Sequence, residues 1–256
     1  MKTIDLNCDM GESFGNYTIG MDEAVMEHIT SANIACGWHA GDPMVMDKTV
    51  AMAKAAGVRP GAHPGYPDLL GFGRRSMKCS GDEIRRYLTY QVGALMGFCK
   101  QHDIKLQHVK PHGALYLDSV ENEELARGVA QAITGLDPDL IFVALAGKKG
   151  ETMRRMGEEL GLKVAYEAFP DRAYTPEGTL VPRKEPGAVI SDPELVAKRA
   201  LDMANGFVIA SDGSRIELDV QTLCVHGDNQ GAVDLVRNIR ELLTENGITV
   251  SPMGDR

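Results

Sequence analysis

The sequence predicts an α/β fold, and a closed parallel β/α barrel is favoured over an open, doubly wound sheet. Short apolar strands alternate with amphipathic helices along the chain, the order that gives a parallel sheet with helical crossovers. The predicted strands carry polar side chains on one face, which the interior of a closed barrel accommodates. The 256 residues suit one such barrel, and no linker or charge block divides them. We therefore expect a single domain over residues 1–256.

The composition limits the classes of partner. With 27 basic and 36 acidic side chains the formal charge is −9, which argues against nucleic acid or an anionic membrane as the main partner. No apolar run approaches the roughly 20 residues that span a bilayer, and the first residues become polar too soon for a secretory signal. The five cysteines form no C-x-x-C pair, which is typical of reduced thiols in a cytoplasmic protein.

Seven strands are predicted, with helices between most of them. The strands span residues 3–9, 32–37, 61–63, 105–112, 140–146, 163–169 and 222–226. Asp42 before Pro43 marks one helix start, and the pairs Ser80/Glu83 and Ser191/Glu194 have capping-box spacing. The predicted helices span residues 43–56, 82–102, 193–205 and 230–245.

Two stretches depart from this alternation. Residues 170–187 include four prolines and several charges, which predicts a long ordered loop or lid after the sixth strand. Residues 207–220 carry Asp212-Gly213 between two short β-like segments, which predicts a hairpin inserted before the last strand.

Residues 107–116 hold the strongest functional signal. Alternate side chains of a strand share a face, so His108, Lys110 and His112 line one side of the fourth strand. Burial of such a row of polar side chains without hydrogen-bond partners would cost roughly 1–3 kcal/mol per group, so we expect the row to have a function. Pro111 removes a backbone donor, which places His112 where the strand ends and a loop begins.

Other strands deliver polar side chains toward their C-terminal ends, where α/β barrels place their active sites. These positions are Asn7 and Asp9 on the first strand, His39 after the second, His63 on the third, Glu167 on the sixth and His226 on the last. Asp9 and Glu12 are suited to bind a metal, orient a histidine or act as acid and base; the alternative is a turn and a helix-start carboxylate. His39 lies in a glycine-rich strand-to-helix junction that either cradles an anion or forms only a tight turn.

Three histidines at successive strand ends reinforce one another. His39, His63 and His112, together with Asp9, are suited to form a divalent-metal site or a proton-transfer cluster. Of these, Asp9, His63 and His112 are the candidate metal ligands.

Further positions are candidates for holding a substrate. Arg74 lies in a Gly-Phe-Gly-Arg-Arg run that supplies cations for a carboxylate or phosphate, or is a solvated basic loop. Asp171 and Arg172 form a candidate ion pair at the start of the proline-rich loop. His226 precedes Gly and Asp at the start of the last helix; the alternative is that Asp228 caps this helix and His226 bonds to it.

The residue types narrow the reaction class. The sequence contains no G-x-S-x-G elbow and no evident Cys–His arrangement, so acyl-enzyme chemistry has little support. Histidines, a lysine and carboxylates instead favour acid–base or metal-assisted hydrolysis of an amide or a related bond.

Taken together, six ordered motifs resemble the LamB/YcsF family over essentially the whole chain. They lie at residues 5–12, 33–43, 61–68, 109–116, 171–174 and 225–229. The resemblance implies an incomplete, seven-stranded TIM-like barrel of the glycoside hydrolase/deacetylase type. It also implies one component of ATP-dependent 5-oxoprolinase, which opens the lactam of 5-oxo-L-proline to L-glutamate with ATP as co-substrate and with two partner subunits, B and C.

The chemistry of a lactam suggests roles for the candidate residues. The candidate catalytic residues are Asp9, Glu12, Lys110, His112 and Glu167. The candidate substrate-binding residues are Asn7, His39, Arg74, Asp171, Arg172 and His226. We expect His112 with Asp9 or Glu12 to activate water, Lys110 to stabilise oxyanion or phosphate charge, and Arg74 or Arg172 to hold the substrate carboxylate.

Two other functional classes fit the same residues. One is a stand-alone metal-dependent deacetylase that acts on a small amide or sugar without ATP. The other is a non-catalytic subunit that presents oxoproline to its partners.

Overall fold

The computed structural model describes residues 2–225 and 231–254, and a barrel of seven parallel strands lies at its centre. The strands in chain order are β1 (Lys2–Met10), β2 (Ser31–Ala35), β3 (Arg59–His63), β4 (His108–Val109), β5 (Ile141–Leu145), β6 (Lys163–Ala168), β7 (Phe207–Ile209), β8 (Arg215–Glu217), β9 (Thr222–Cys224) and β10 (Ile248–Val250). Neighbours pair in the order β1-β2-β3-β4-β5-β6-β9, and β9 pairs back onto β1, where Asn7 aligns with Cys224. The predicted closed barrel is confirmed, and the open sheet is wrong.

Helices form the outer layer of the fold. They are α1 (Asp22–Met26), α2 (Pro43–Ala56), α3 (Gly81–Gln101), α4 (Gly113–Glu121), α5 (Glu123–Leu136), α6 (Glu151–Glu159), α7 (Pro193–Ala204) and α8 (Ala232–Glu245). Within the described ranges, none of these helices is both long and apolar enough to cross a bilayer. The short strand β10 follows α8 and extends the sheet beside the start of β1.

Side-chain alternation along β1 separates the apolar core from a polar interior. Ile4 and Leu6 are buried in the main apolar cluster, whereas the buried Asp5 and Asn7 bond to polar side chains of β2 and β9 and the segments beside them. Because a parallel barrel packs its outer face against helices, the apolar set must face outward and the polar set inward. The barrel interior therefore holds the polar side chains that the alternation predicted.

Helix caps agree with the sequence signals at two of three sites. Asp42 accepts hydrogen bonds from the backbone of Met44 and Val45, and Ser80 with Glu83 forms a full capping box. The predicted box at Ser191 and Glu194 is wrong, because Asp192 is the N-cap of α7 and accepts from the backbone N–H groups of Glu194 and Leu195. Two adjacent residues of capping type compete at this position, and local spacing did not decide between them.

The fourth strand is much shorter than the predicted span 105–112. Only His108 and Val109 make regular pairs with both neighbours. The chain still runs along β3, since the backbone N–H of Lys110 donates to Ala62 O and the backbone N–H of His112 donates to Pro64 O. Pro111 has no backbone donor, so the ladder cannot continue, and His112 becomes the N-cap residue of α4.

The insertion between β6 and β9 consists of a long loop, α7 and a hairpin. Residues 169–192 hold no helix or strand and are tied by isolated bridges, as at Arg172 and Val189. Arg199 of α7 donates to the carbonyl oxygens of Pro170, Arg172 and Ile209, which fixes both the loop and the hairpin. The predicted loop and the predicted hairpin, which pairs β7 with β8, are confirmed.

Candidate active site

A cavity of about 860 Å³ opens at the C-terminal ends of the barrel strands. Its lining includes Asp9 and Glu12 and the buried side chains of His63, Lys110 and His112. Apolar walls are supplied by Phe72, Phe169, Leu180 and Val181, and cationic side chains by Arg74, Arg172, Arg183 and Lys184. The cavity is thus lined both by ionisable groups at the strand ends and by cationic side chains from the loops.

Lys110 lies between two carboxylates. Its Nζ is 2.9 Å from Asp9 Oδ1 and 2.9 Å from Glu167 Oε1, and it donates to Cys224 Sγ at 3.0 Å. Burial alone would lower the pKa of Lys110, but Asp9 and Glu167 raise that pKa well above its ordinary value. The ammonium group is therefore a fixed positive charge at neutral pH.

His63 and His112 face each other across the cavity wall. His63 Nδ1 is 2.8 Å from Lys110 O, and His112 Nε2 is 2.8 Å from Phe72 O. A carbonyl oxygen only accepts, so each of these nitrogens carries its ring's proton and donates it. The remaining nitrogens, His63 Nε2 and His112 Nδ1, lie 2.9 Å apart.

His39 and Glu12 complete an upper layer, which we define as Glu12, His39, His63 and His112. The His39 ring is fully buried and stacks on His112, with ring centroids 3.7 Å apart. Glu12 Oε1 is 3.4 Å from His39 Nε2 and 3.7 Å from His112 Nδ1. Burial lowers the pKa of His39 and of His112 well below the ordinary value, which favours neutral imidazoles.

The stack fits because Gly73 has no side chain. Its backbone lies at φ +62°, and a Cβ there would come 2.7 Å from His112 Cδ2 and 2.8 Å from His39 Cβ. The Gly-Phe-Gly run that was predicted to supply cations therefore also makes room for both histidines.

A lower layer, which we define as Asp5, Asn7, Asn33, His108 and Thr222, fills the barrel beneath the cavity. Asn33 Nδ2 donates to Asn7 Oδ1 at 2.7 Å and to Asp9 Oδ1 at 2.9 Å. His108 Nε2 lies 2.7 Å from Asn33 Oδ1. Burial lowers the pKa of His108 to about 3, so this ring is neutral and donates to the amide. The predicted row at 108, 110 and 112 is confirmed, although its first member belongs to this supporting layer.

The structure brings most of the candidate site residues together. Asp9, Glu12, His63, Arg74, Lys110, His112 and Arg172 line the cavity. Three more lie directly behind the wall: Asn7, His39 and Glu167. Asp171 is buried but does not line the cavity. His226 lies outside the described residues.

Arg172 has contacts that differ from those of an exposed substrate clamp. Its guanidinium donates to the carbonyl oxygens of Val181 and Ala188 and so holds the proline-rich loop. Burial lowers its pKa to about 10, which leaves it charged at neutral pH. Arg172 therefore adds positive charge to the wall while it fixes the loop.

Sequence reasoning missed several lining residues. Arg183 and Lys184 come from the proline-rich loop, and Tyr116 comes from α4. Burial beside Glu167 raises the pKa of Tyr116 well above its ordinary value, so its phenol stays protonated. The charges within the loop were visible in the sequence, and the predicted loop or lid did not specify which of them reach the cavity.

Together these features define a class, a β/α-barrel protein with an acid–base cavity at the C-terminal ends of its strands. The chain belongs to the LamB/YcsF family, whose model matches residues 4–256. A relative from Thermococcus onnurineus is 57% identical over 253 residues, which cover 98% of each chain, and its name is that of a 5-oxoprolinase subunit. A relative from Syntrophobacter fumaroxidans with the same name is 53% identical and covers 99% of each chain.

Solved structures share the architecture. The lactam utilization protein from Thermus thermophilus superposes with a TM-score of 0.91 and 44% identity, covering 97% of this chain and 99% of that one. A protein from Enterococcus faecalis has a TM-score of 0.60 at 15% identity, covering 98% of this chain and 97% of that one. The second likeness shows the fold alone.

Proposed function

We propose that this chain opens the lactam ring of 5-oxo-L-proline as one component of an ATP-dependent 5-oxoprolinase. The observation that carries the proposal is the Lys110 ammonium group, held between two buried carboxylates beside the His63–His112 pair in one cavity. The names of the relatives from Thermococcus and Syntrophobacter support the substrate. The name of the Thermus protein, which refers to lactam utilization, points to the same kind of bond.

A five-membered lactam is a stable amide, so its hydrolysis needs a driving force. Transfer of the γ-phosphoryl group of ATP to the lactam oxygen, with loss of the N–H proton, gives a phosphorylated imidate and ADP. Addition of water at C5 and cleavage of the C5–N bond, with the nitrogen protonated, gives γ-glutamyl phosphate. A second water then releases L-glutamate and phosphate, so each turnover consumes one ATP and two waters.

The residues of this chain suit the water-addition steps. Glu12, Asp9 and His112 line the cavity as acceptors that can take a proton from the attacking water. Lys110 offers a fixed positive charge to the oxygen that becomes negative at C5. Glu167, fully buried at 2.9 Å from Lys110 Nζ, holds that ammonium group in place.

The cationic side of the cavity suits the anionic groups of the substrate. Arg74, Arg183 and Lys184 are exposed and line the same cavity as Lys110. Guanidinium and ammonium groups bind carboxylate and phosphate oxygens. We assign to them the carboxylate of oxoproline and the phosphate of the intermediate.

The names of the relatives designate one subunit of 5-oxoprolinase, which points to an enzyme with several different chains. We propose that two partners, subunits B and C, assemble with this chain and that the complex binds and cleaves ATP. The test is release of glutamate from oxoproline by this chain alone and by the reconstituted complex, each with and without ATP. We expect turnover only when partners and ATP are both present.

Three variants test whether the reaction takes place in this barrel. His112→Ala in the complex should lower turnover at least about 100-fold, the usual contribution of a positioned acid or base. His102→Ala is the matched control, since His102 ends α3 at the surface and pairs with Asp47. Full turnover with both His63 and His112 replaced would contradict the proposal and favour a substrate-presenting role. Turnover by the chain alone without ATP would favour a stand-alone hydrolase.

A further inference from the structure

The upper layer presents two nitrogen lone pairs to each other. His63 donates through Nδ1 and His112 donates through Nε2, both to backbone carbonyl oxygens. In the neutral form each ring has one N–H, so His63 Nε2 and His112 Nδ1 are both acceptors. At 2.9 Å these two atoms repel each other unless a cation lies at this point. The backbone contacts fix both rings, so the repulsion is not relieved by a change of tautomer.

Metal-binding histidines have this arrangement of outer contacts. A histidine that coordinates a metal through one nitrogen almost always donates the other N–H to a carbonyl or carboxylate, which fixes the ring. His63 and His112 both meet that condition with main-chain carbonyl oxygens. Glu12 Oε1 lies 3.7 Å from His112 Nδ1 and so reaches the same point.

From this geometry we infer that Glu12, His63 and His112 bind a divalent transition-metal ion of the Zn²⁺ class, with His39 as a fourth ligand. One ligand atom from each of the four residues lies within 4.8 Å of the others. Imidazole nitrogens with a carboxylate form a ligand set that suits Zn²⁺ better than Mg²⁺ or Ca²⁺, which prefer oxygen ligands. A bound ion of this kind would activate the water in place of Glu12 and His112, whose acceptor atoms become its ligands, and would leave the role of base to Asp9.

The contacts select Glu12 over Asp9 as the carboxylate ligand. Asp9 Oδ2 does lie 3.3 Å from His63 Nε2, but Asp9 Oδ1 pairs with the Lys110 ammonium at 2.9 Å and accepts from Asn33. Coordination by Asp9 would bring the metal close to that ammonium, at an electrostatic cost. The sequence-based ligand set of Asp9, His63 and His112 is therefore replaced by one that contains Glu12.

His39 joins the set after a rotation of its ring. The His39 and His112 rings are stacked in parallel, so their nitrogen lone pairs do not converge on one point. In this orientation the two rings cannot bind the same ion. Neither ring nitrogen of His39 has a hydrogen-bond partner among the described residues. Rotation of the ring therefore breaks no hydrogen bond.

The test measures metal binding directly and does not depend on turnover. The purified chain is stripped with a chelator and then titrated with Zn²⁺, Mn²⁺ and Mg²⁺ by calorimetry, with the metal content measured after dialysis. Co²⁺ absorption in the visible range reports nitrogen coordination. We expect about one Zn²⁺ per chain, with much weaker binding of Mg²⁺.

Variants identify the ligands. Loss of a direct ligand should weaken Zn²⁺ binding at least about 100-fold in His63→Ala, His112→Ala and Glu12→Gln, because even outer contacts are worth roughly 10–100-fold. Asp9→Asn and the surface control His102→Ala should retain binding. His39→Ala should weaken binding less, by about 10-fold.

Several results would overturn the inference. They are a stripped wild-type chain that takes up no Zn²⁺, or uptake that is equal in wild type, His63→Ala and His112→Ala. Strong loss in Asp9→Asn with retention in Glu12→Gln would refute the ligand set. The wild-type titration decides the matter even if a variant fails to fold. Absence of metal would not contradict lactam hydrolysis, which the glutamate assay tests separately.

Discussion

Polar side chains fill the barrel in two layers that are held in different ways. In the lower layer Asp5 accepts from the hydroxyls of Thr30, Ser31 and Thr222, and the layer's amides and imidazole bond to one another. In the upper layer two imidazole acceptors face each other at 2.9 Å, and both His39 nitrogens lack a hydrogen-bond partner among the described residues. Satisfied polar groups stabilise a fold, whereas unsatisfied ones persist where a ligand completes them. The contrast supports the proposal that the upper layer binds a ligand.

Lys110 joins the two layers, and its loss should have the largest effect. Lys110→Met keeps the side-chain length but leaves Asp9 and Glu167 without the buried counter-ion they share. We expect the free energy of unfolding to fall by about 3–5 kcal/mol, the usual cost of an uncompensated buried charge. Chemical denaturation measures this free energy. The control is Lys198→Met at an exposed position of α7, which we expect to lie within about 0.5 kcal/mol of wild type. Equal stability of the two variants would show that the carboxylates do not depend on Lys110.

The lower layer should make the free energy of unfolding depend on pH through Asp5. Burial raises the pKa of the Asp5 carboxyl from 3.8 to about 6, so the folded chain binds this proton more tightly than the unfolded chain does. The resulting stabilisation is complete below about pH 4 and is lost as the pH rises through about 6. Asp5→Asn should remove up to about 1.4 kcal/mol per pH unit from that slope. Denaturation series at pH 4, 5 and 6 test it, and an unchanged slope would contradict the assignment.

Close packing of the lower layer predicts a smaller effect at Gly61. A Cβ at this position would overlap the imidazole ring of His108, so the ring must leave its hydrogen bonds. We expect Gly61→Ala to cost about 1–3 kcal/mol, as overpacking does. Gly93 of α3 is the matched control, because a Cβ there meets nothing within 4 Å and Gly93→Ala should stabilise the helix by up to about 1 kcal/mol. Similar thermal shifts in both variants would refute the close packing.

A pair of histidine variants compares the layers directly and includes the smallest effect. His108→Leu leaves the amide oxygen of Asn33 without its donor and should cost about 1–3 kcal/mol. His39→Leu breaks no hydrogen bond, and we expect it to change the free energy of unfolding by less than about 1 kcal/mol. Urea denaturation of both proteins without added metal is the measurement. A larger cost at His39 would place that ring in the structural network.

The barrel and its inward polar faces were largely predictable, because they follow from local rules. Alternation put Asn7, Asp9 and Lys110 on inward faces, and the closed barrel gave those faces an interior. The predicted strand 105–112 ends early, after Val109, because regular pairing also needs a donor, which Pro111 lacks. The Ser191 cap failed because a neighbouring carboxylate, Asp192, took the backbone donors.

The grouping of His39, His63 and His112 was predicted from their places at strand ends, but the addition of Glu12 and the contacts within the upper layer depend on tertiary packing. Glu12, His39, His63 and His112 come from four segments, and the nitrogens of His63 and His112 are directed by backbone carbonyls of Lys110 and Phe72. The cations at Arg183 and Lys184 reach the cavity because the proline-rich loop folds over the barrel.

The sequence by itself determined the alternation of strands and helices, the inward polar faces and the kinds of group at the strand ends, since these depend on neighbours a few residues apart. Only the tertiary structure decided which of those groups meet, which carboxylate pairs with Lys110 and which histidine nitrogens face each other. Barrel closure sets these distances between residues as far apart as Asn7 and Cys224. The contact of 2.9 Å between His63 and His112 depends on the packing of the whole chain, and spacing along the sequence does not encode it.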